Sequence, residues 1–137
     1  MAVAQFTYAW APRIRSLLRL VAGLMFLLHG TQKLMAFPDA SSGGGAPETM
    51  SKMWIAGVLE LVLGALIAIG LFTRLAAFLA SGEMAVAYFT VHAPNSIWPS
   101  INQGELAALY CWVFFYFAFA GPGPWAVDAL FGKRAAT

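Results

Sequence analysis

Five ionisable side chains lie within or at the edge of long apolar stretches: His29, Lys33, Glu60, Glu83 and Glu105. An ionisable group at the centre of a bilayer costs about 2.5–3.5 kcal/mol on insertion scales, so such groups turn away from lipid and toward one another. Carboxyl, imidazole and amine groups can hold and transfer protons and can form hydrogen bonds to a polar ligand. These five residues are therefore the candidate polar cluster of the protein.

The depth of these residues favours a meeting near mid-membrane. Counted at about 1.5 Å per residue from the basic residue at the end of each stretch, His29, Glu60 and Glu83 lie about 12–15 Å deep. Lys33 and Glu105 lie one to two turns further out. Glu60 and Glu83 also share their helix faces with small residues, which let neighbouring helices approach closely, so both acids should point into a bundle. The small residues are Gly57 and Gly64 beside Glu60, and Ala76, Ala80 and Ala87 beside Glu83.

Each candidate also has a structural interpretation. Glu105 follows Asn102 by three residues, the spacing of a capping box, and capping is preferred to catalysis for it. Lys33 could instead extend to the outer headgroups. His29 could be an ordinary hydrogen-bonded buried histidine, and pairing with His92 as haem ligands is a further, weaker alternative. The sequence contains no evident metal site.

Glu60 and Glu83 could likewise only bond neighbouring helices. However, three acids face at most two bases in this set, so at least one acid must be protonated or bind a polar ligand. Glu83 lies on an alanine face near the bilayer middle. We expect it to be protonated at neutral pH unless it pairs directly with His29.

The composition requires a lipid environment for the elements that position this cluster. The chain has 137 residues, of which 61% are hydrophobic and 10% charged, and its mean hydropathy is +0.73. A soluble domain carries about 25% charged residues, so both a soluble globule and a disordered chain are excluded. The net charge of +2 and the scattered basic residues argue against nucleic-acid binding. The single cysteine, Cys111, excludes an internal disulfide.

Four apolar stretches have the length of membrane helices, which need about 20 residues. They cover approximately residues 14–37, 53–72, 74–92 and 103–120. The predicted fold is an all-α integral membrane protein, a four-transmembrane-helix bundle over residues 13–121. Residues 1–12 carry three aromatic residues and are expected to form an interfacial segment. Residues 122–137 form a tail.

The basic residues predict the orientation. With four spans, six Lys or Arg residues fall on one side and two on the other, which places the N and C termini in the cytoplasm. Glycine- and serine-rich residues 41–45 and the proline-containing loop 94–100 then face outward. The six are Arg13, Arg15, Arg19, Arg74, Lys133 and Arg134, and the two are Lys33 and Lys52.

The fourth span is rich in aromatic residues around its whole circumference. We interpret this run as a surface that faces lipid or a partner protein; a stacking platform for a quinone ring is the less favoured alternative. The residues are Tyr110, Trp112, Phe114, Phe115, Tyr116, Phe117 and Phe119.

The chain resembles the DoxX family of small four-helix bacterial membrane proteins. The resemblance rests on the order and spacing of four segments. The first span contains His29-Gly30-x-x-Lys33-Leu34, and the second contains Gly57-x-x-Glu60 and is followed by Gly-Leu-Phe-Thr-Arg at residues 70–74. The fourth span opens with Asn-Gln-Gly-Glu at residues 102–105, and the tail reads Gly-Pro-Gly-Pro-Trp-Ala-Val-Asp at residues 121–128. The family tail usually has serine where this chain has Ala126. The resemblance implies the bacterial inner membrane and an association with quinone-linked oxidoreductases, because relatives resemble a small subunit of a terminal quinol oxidase and a thiosulfate:quinone oxidoreductase subunit.

Three functions are consistent with these features. The leading hypothesis is an accessory subunit of a redox complex that contributes to a quinone site. In it Glu60 and Glu83 accept protons, while His29 and Lys33 donate hydrogen bonds to a quinone carbonyl. No intrinsic cofactor is expected; a quinone is the candidate ligand, and the lipid bilayer and a membrane protein complex are the expected partners. The alternatives are a structural subunit that packs on a larger complex and, less favoured, a transporter of a small solute or protons.

Overall fold

The computed structural model describes residues 2–39 and 47–134. Within these ranges the chain forms six α-helices and one π-helical turn, and no strand. The elements are α1 (Ala2–Met35), α2 (Lys52–Ile69), α3 (Thr73–Ala87), the π-turn (Tyr88–His92), α4 (Pro99–Asn102), α5 (Glu105–Ala120) and α6 (Val127–Arg134). The predicted glycine-rich loop at residues 41–45 lies outside the described residues.

The four long helices coincide with the four predicted apolar stretches. Two of the described helical segments, Lys52–Ile69 and Thr73–His92, are long and apolar enough to cross a membrane by length and composition, and α5 is a shorter apolar helix. Helix α1 has 34 residues, or about 51 Å at 1.5 Å per residue. It therefore includes residues 2–12 as a continuous extension. Crossing of the membrane by all four helices stays a prediction.

The helices pack as two pairs, α1 with α2 and α3 with α5, and α2 and α3 join the pairs. Phe26 of α1, Ile67 of α2 and two phenylalanines of α5, Phe114 and Phe117, are fully buried at the centre. Many large apolar side chains on the outer surface are exposed. That surface suits contact with lipid, where exposed leucine and phenylalanine cost nothing.

The turn between α2 and α3 is completed by the tail. Gly70 ends α2 with a φ of 75°, and Phe72 precedes α3 with a φ of 49°. The Asp128 carboxylate accepts hydrogen bonds of 2.8 Å from the backbone nitrogens of Phe72 and Thr73. A carboxylate at this position satisfies the first free N–H groups of α3 and complements its dipole. Asp128 therefore attaches the tail to the start of α3.

Three arginines bind backbone carbonyls at the same end of the bundle. Arg19, only 2% exposed, donates to the carbonyl oxygens of Ile67 and Ala68 at the end of α2 and to those of Pro122 and Trp125 in the tail. The bonds to Ile67 and Ala68 reach carbonyls in the last turn of α2. Those to Pro122 and Trp125 attach the tail to the same end of the bundle.

Arg15 and Arg74 do the same for α5. Arg15 Nη1 donates to the Ala120 oxygen over 2.8 Å, and Arg74 donates to the oxygens of Ala118 and Phe119. The basic residues that predict orientation therefore also connect α1 and α3 to the ends of α2 and α5.

Candidate functional site

Glycines bring α1 and α2 close enough to place a lysine against a buried acid. A Cβ added to Gly30 would lie 2.5 Å from the Leu61 nitrogen, and one added to Gly64 would lie 2.6 Å from the Leu27 nitrogen. No real side chain tolerates such distances, so glycine is required wherever these two backbones touch. At the outer end of this contact, Gly57 packs against the Cβ atom of Lys33.

Lys33 and Glu60 form an ion pair between α1 and α2. Lys33 Nζ donates to Glu60 Oε1, and the side chain of Glu60 is 3% exposed whereas that of Lys33 is 28% exposed. The lysine therefore turns inward rather than extending to the headgroups. The second carboxylate oxygen, Glu60 Oε2, is buried and has no hydrogen-bond partner among the described residues.

Glu83 lies next to this pair without joining it. Both of its carboxyl oxygens are buried and have no hydrogen-bond partner in the described part of the chain. Its carboxyl group lies within electrostatic range of Glu60 and Lys33. Ala76 and Ala80, on the same helix face, are buried as expected. Since Lys33 is bound by Glu60, the buried carboxyl group of Glu83 has no ion-pair partner among the described residues.

His29 and Tyr110 complete the cluster. The His29 ring stands edge-on to the Tyr110 ring, with centroids 6.0 Å apart and an angle of 89° between the planes. His29 is near enough to Glu60 and Lys33 for their charges to interact. The Tyr110 hydroxyl, also within electrostatic range of Glu60, is buried with no hydrogen-bond partner in the described ranges.

A groove on the outside of the bundle reaches His29. It has a volume of about 250 Å³ and is lined by Met25, Leu28, His29, Gln32 and Pro38. His29 is half-buried, so it contacts both this groove and the interior cluster. The imidazole therefore lies between the outer surface of the bundle and the buried acids.

Glu105 does not belong to the buried cluster. It is exposed in the first turn of α5. The predicted capping box is wrong, because α5 begins one residue after Gly104 and has no side-chain cap. Asn102 ends α4 instead, and its Oδ1 accepts a 2.7 Å hydrogen bond from the Gly104 nitrogen. Asn102 is the last residue of α4, two residues before the N-cap Gly104, and therefore does not occupy the capping position of α5.

His92 lies in surroundings different from those of His29. Its Nδ1 atom is 3.1 Å from the Asn102 carbonyl oxygen, and its ring packs beside Tyr88 at the π-turn. In the described part of the chain, no three His, Cys, Asp or Glu side chains come together as metal ligands.

Tyr110 is the cluster member that the sequence interpretation missed. The aromatic run of α5 was expected to face lipid or a partner, but Tyr110, Phe114 and Phe117 are buried. Tyr110 and Phe114 stack with centroids 5.3 Å apart. The spacing of Ala107 and these three residues, in steps of three and four, marks a single helix face. In an otherwise apolar helix that spacing is the only signal that distinguishes core from surface.

Comparison with known proteins agrees with the motifs. The DoxX family model matches residues 14–93. The chain is 44% identical over 128 residues to an uncharacterized protein of Haemophilus influenzae, which covers 91% of this chain and 96% of that protein. It is 29% identical over 133 residues to an uncharacterized membrane protein of Mycobacterium tuberculosis, covering 86% and 81% of the two chains. No solved structure matches significantly. The chain is therefore a membrane protein of the DoxX family.

Proposed function

We propose that this protein is a membrane-embedded accessory subunit of a quinone-linked redox complex in the bacterial inner membrane. In this proposal its four long helices span the bilayer with both termini in the cytoplasm. The observation that carries the proposal is Glu83, a buried carboxyl group without a partner among the described residues, in a cluster that His29 connects to the outer groove.

The residues of the cluster fit a quinone head group. A quinone is an apolar ring with two carbonyl acceptors, so its site needs an apolar approach from lipid and hydrogen-bond donors at the end of it. Met25 and Leu28 line the groove, and His29 stands at the boundary between groove and interior. The imidazole can donate to a carbonyl oxygen there, with Tyr110 as a second donor behind it.

The buried groups also suit proton transfer. Reduction of a quinone consumes protons as well as electrons. A neutral Glu83 can release a proton toward His29. The Lys33 ammonium favours the carboxylate left behind, whereas the Glu60 carboxylate opposes it and so favours return of the proton. In this proposal a partner protein supplies the electrons, and this chain supplies hydrogen bonds and protons.

The test is the quinone content of the protein extracted in mild detergent. Quinone is extracted from the purified protein and quantified by mass spectrometry for the wild type, His29→Phe and His92→Phe. The two substitutions are matched in chemistry, but only His29 lines the groove. A third variant, Met25→Trp, fills the groove without changing a polar group.

We expect the wild type and His92→Phe to retain quinone, and His29→Phe and Met25→Trp to lose it. Helix content measured by circular dichroism should be equal in all four proteins. Absence of quinone from folded wild-type protein, or equal retention in all four, would contradict a quinone site at His29.

A second function, a structural subunit, is favoured by one surface of α5. Trp112 and Phe119 are 69% and 68% exposed, and they sit on the side opposite the buried aromatic residues. Such side chains can pack against another membrane protein. If Trp112→Ala disrupts a co-purifying complex whereas His29→Phe leaves it intact and no quinone is found, packing rather than ligand binding is the role.

A further inference from the structure

A second groove lies at the end of the bundle that carries the arginines. It has a volume of about 640 Å³ and is lined by Phe6, Thr7, Trp10, Ala11, Ile14, Arg15, Leu18 and Tyr116. From Phe6 to Leu18 it follows α1 for about 18 Å. Because Arg15 binds the last carbonyl of α5, the groove begins beside α5 and continues along the part of α1 that extends past it.

The groove combines apolar walls with unsatisfied positive charge. Arg15 Nη1 donates a hydrogen bond to the Ala120 carbonyl, but the buried Nε atom of Arg15 has no hydrogen-bond partner within the described residues. The Arg13 guanidinium stands 5.1 Å from the centre of the Trp10 ring, which lines the groove. Arg15 is thus the charged residue of the groove lining, and the Arg13 guanidinium lies beside the groove against the Trp10 ring.

The basic residues of the whole chain are concentrated at the same end as this groove, and the acidic residues are not. Six of the eight basic residues belong to the segments at this end, whereas Asp128 is the only one of the six acidic residues there. The Asp128 carboxylate is engaged by two backbone nitrogens at the start of α3. Residues 1–38 contain no acid at all. This end of the molecule therefore attracts anions.

We propose that this groove is a binding site for an anionic phospholipid. Arg13 and Arg15 bind the phosphate, since guanidinium groups form strong paired hydrogen bonds with phosphate oxygens. Ile14, Leu18 and Tyr116 hold an acyl chain on the side toward the membrane centre. Trp10 and Phe6 lie at headgroup depth, where aromatic residues concentrate. The cytoplasmic leaflet, which this end faces in the proposed topology, is rich in anionic lipid.

Arg74 provides a matched control for Arg15, the arginine of the groove lining. It also binds carbonyl oxygens at the end of α5, but it does not line the groove. Loss of Arg74 therefore removes a similar structural contact without removing a phosphate ligand. Ala11, exposed in the groove wall, offers a second and purely steric test, because tryptophan there would fill the groove.

The experiment measures lipid binding to delipidated full-length protein by native mass spectrometry. Phosphatidylglycerol and phosphatidylcholine with identical acyl chains are titrated separately, with and without excess inorganic phosphate. The proteins are the wild type, Arg13→Gln, Arg15→Gln, Arg74→Gln and Ala11→Trp. Arg13 is exposed, so its variant keeps the test valid even if Arg15→Gln does not fold.

We expect wild-type protein to bind phosphatidylglycerol about tenfold more tightly than phosphatidylcholine. Both lipids carry the phosphate, but only phosphatidylcholine also carries a cationic headgroup, which the basic residues at this end repel. Arg13→Gln and Arg15→Gln should reduce this preference, Arg74→Gln should retain it, and Ala11→Trp should weaken binding of both lipids. Inorganic phosphate should compete poorly, because it lacks the acyl chains.

Equal binding of the two lipids by the wild type would overturn the proposal. So would equal loss in Arg74→Gln and Arg15→Gln, which would indicate only a general effect of charge or structure. Full competition by inorganic phosphate would identify a simple anion site, and a protein dimer that excludes lipid would identify a second copy as the occupant.

Discussion

Glu83 offers the sharpest test of the buried cluster, through the pair of substitutions Glu83→Gln and Glu83→Ala. Lys33 is bound to Glu60, and neither oxygen of Glu83 has a hydrogen-bond partner among the described residues. The condition under which we expected a charged Glu83, direct pairing with His29, is therefore not met in the structure. A neutral carboxyl group and a glutamine amide have nearly the same shape. Glu83→Gln should then change the free energy of unfolding by less than about 1 kcal/mol.

The other substitutions should cost more, for different reasons. Glu83→Ala removes a half-buried side chain from a packed interface, which costs about 2 kcal/mol through lost contacts and a cavity. Glu60→Gln is the matched control, because it makes the same chemical change at an acid that carries a charge. It leaves the Lys33 ammonium without its counter-charge, which costs about 3 kcal/mol, the low end for a broken buried ion pair, because Lys33 can still reach outward.

Two measurements together decide the matter. The free energy of unfolding is obtained by SDS titration in mixed micelles, followed by circular dichroism. Infrared spectroscopy then looks for a protonated carboxyl band that is present in the wild type and in Glu60→Gln but absent from Glu83→Gln. If no such band is lost, and Glu83→Gln destabilises as much as Glu83→Ala, Glu83 is a charged partner and the reasoning is wrong.

Three further predictions concern the scaffold. Gly64→Ala should lower the free energy of unfolding by about 3 kcal/mol or more through overpacking, whereas Gly82→Ala, whose new Cβ meets nothing within 4 Å, should be neutral or slightly stabilising in the same titration; equal effects would refute the close contact of α1 and α2. Asp128→Asn should cost about 1–2 kcal/mol by weakening the cap of α3, and an unchanged stability would argue against that role. A cysteine at Ser96 should react with an impermeant thiol reagent added to intact cells, and one at Ala136, beyond the described residues, should not; labelling at Ala136 would reverse the orientation.

The inward direction of the buried acids could be predicted from local sequence alone. Glu60 recurs with Gly57 and Gly64 on one helix face, and small residues mark a face that packs on another helix. The structure places Glu60 at 2% exposure and glycines at the closest backbone contacts. The sequence determines which residues share a helix face, because an α-helix has 3.6 residues per turn whatever its neighbours are.

The partner of each polar group could not be predicted in the same way. Lys33 lies about one turn above Glu60, and its four-carbon chain can reach either the acid or the headgroups. Only the separation of the two backbones decides between them. Likewise the carbonyl contacts of Arg19 join residues 48 to 106 positions apart in sequence. Topological rules identify arginines at that end of the membrane, but they do not distinguish a headgroup contact from a buried helix cap.

Polar side chains that bind backbone groups at the helix ends differ in role from the buried Glu83. Arg19, Arg74 and Asp128 fix the helix ends and the tail through backbone groups, so this end depends little on which side chains line the interior. Glu83, by contrast, makes no hydrogen bond with the described residues and secures no backbone. A group that contributes little to assembly, yet costs free energy to bury, points to a functional role, here the proton transfer proposed for Glu83. If the proposed redox role is right, substitutions at Glu83 should therefore impair that role before they impair folding, and substitutions at Arg19 should do the reverse.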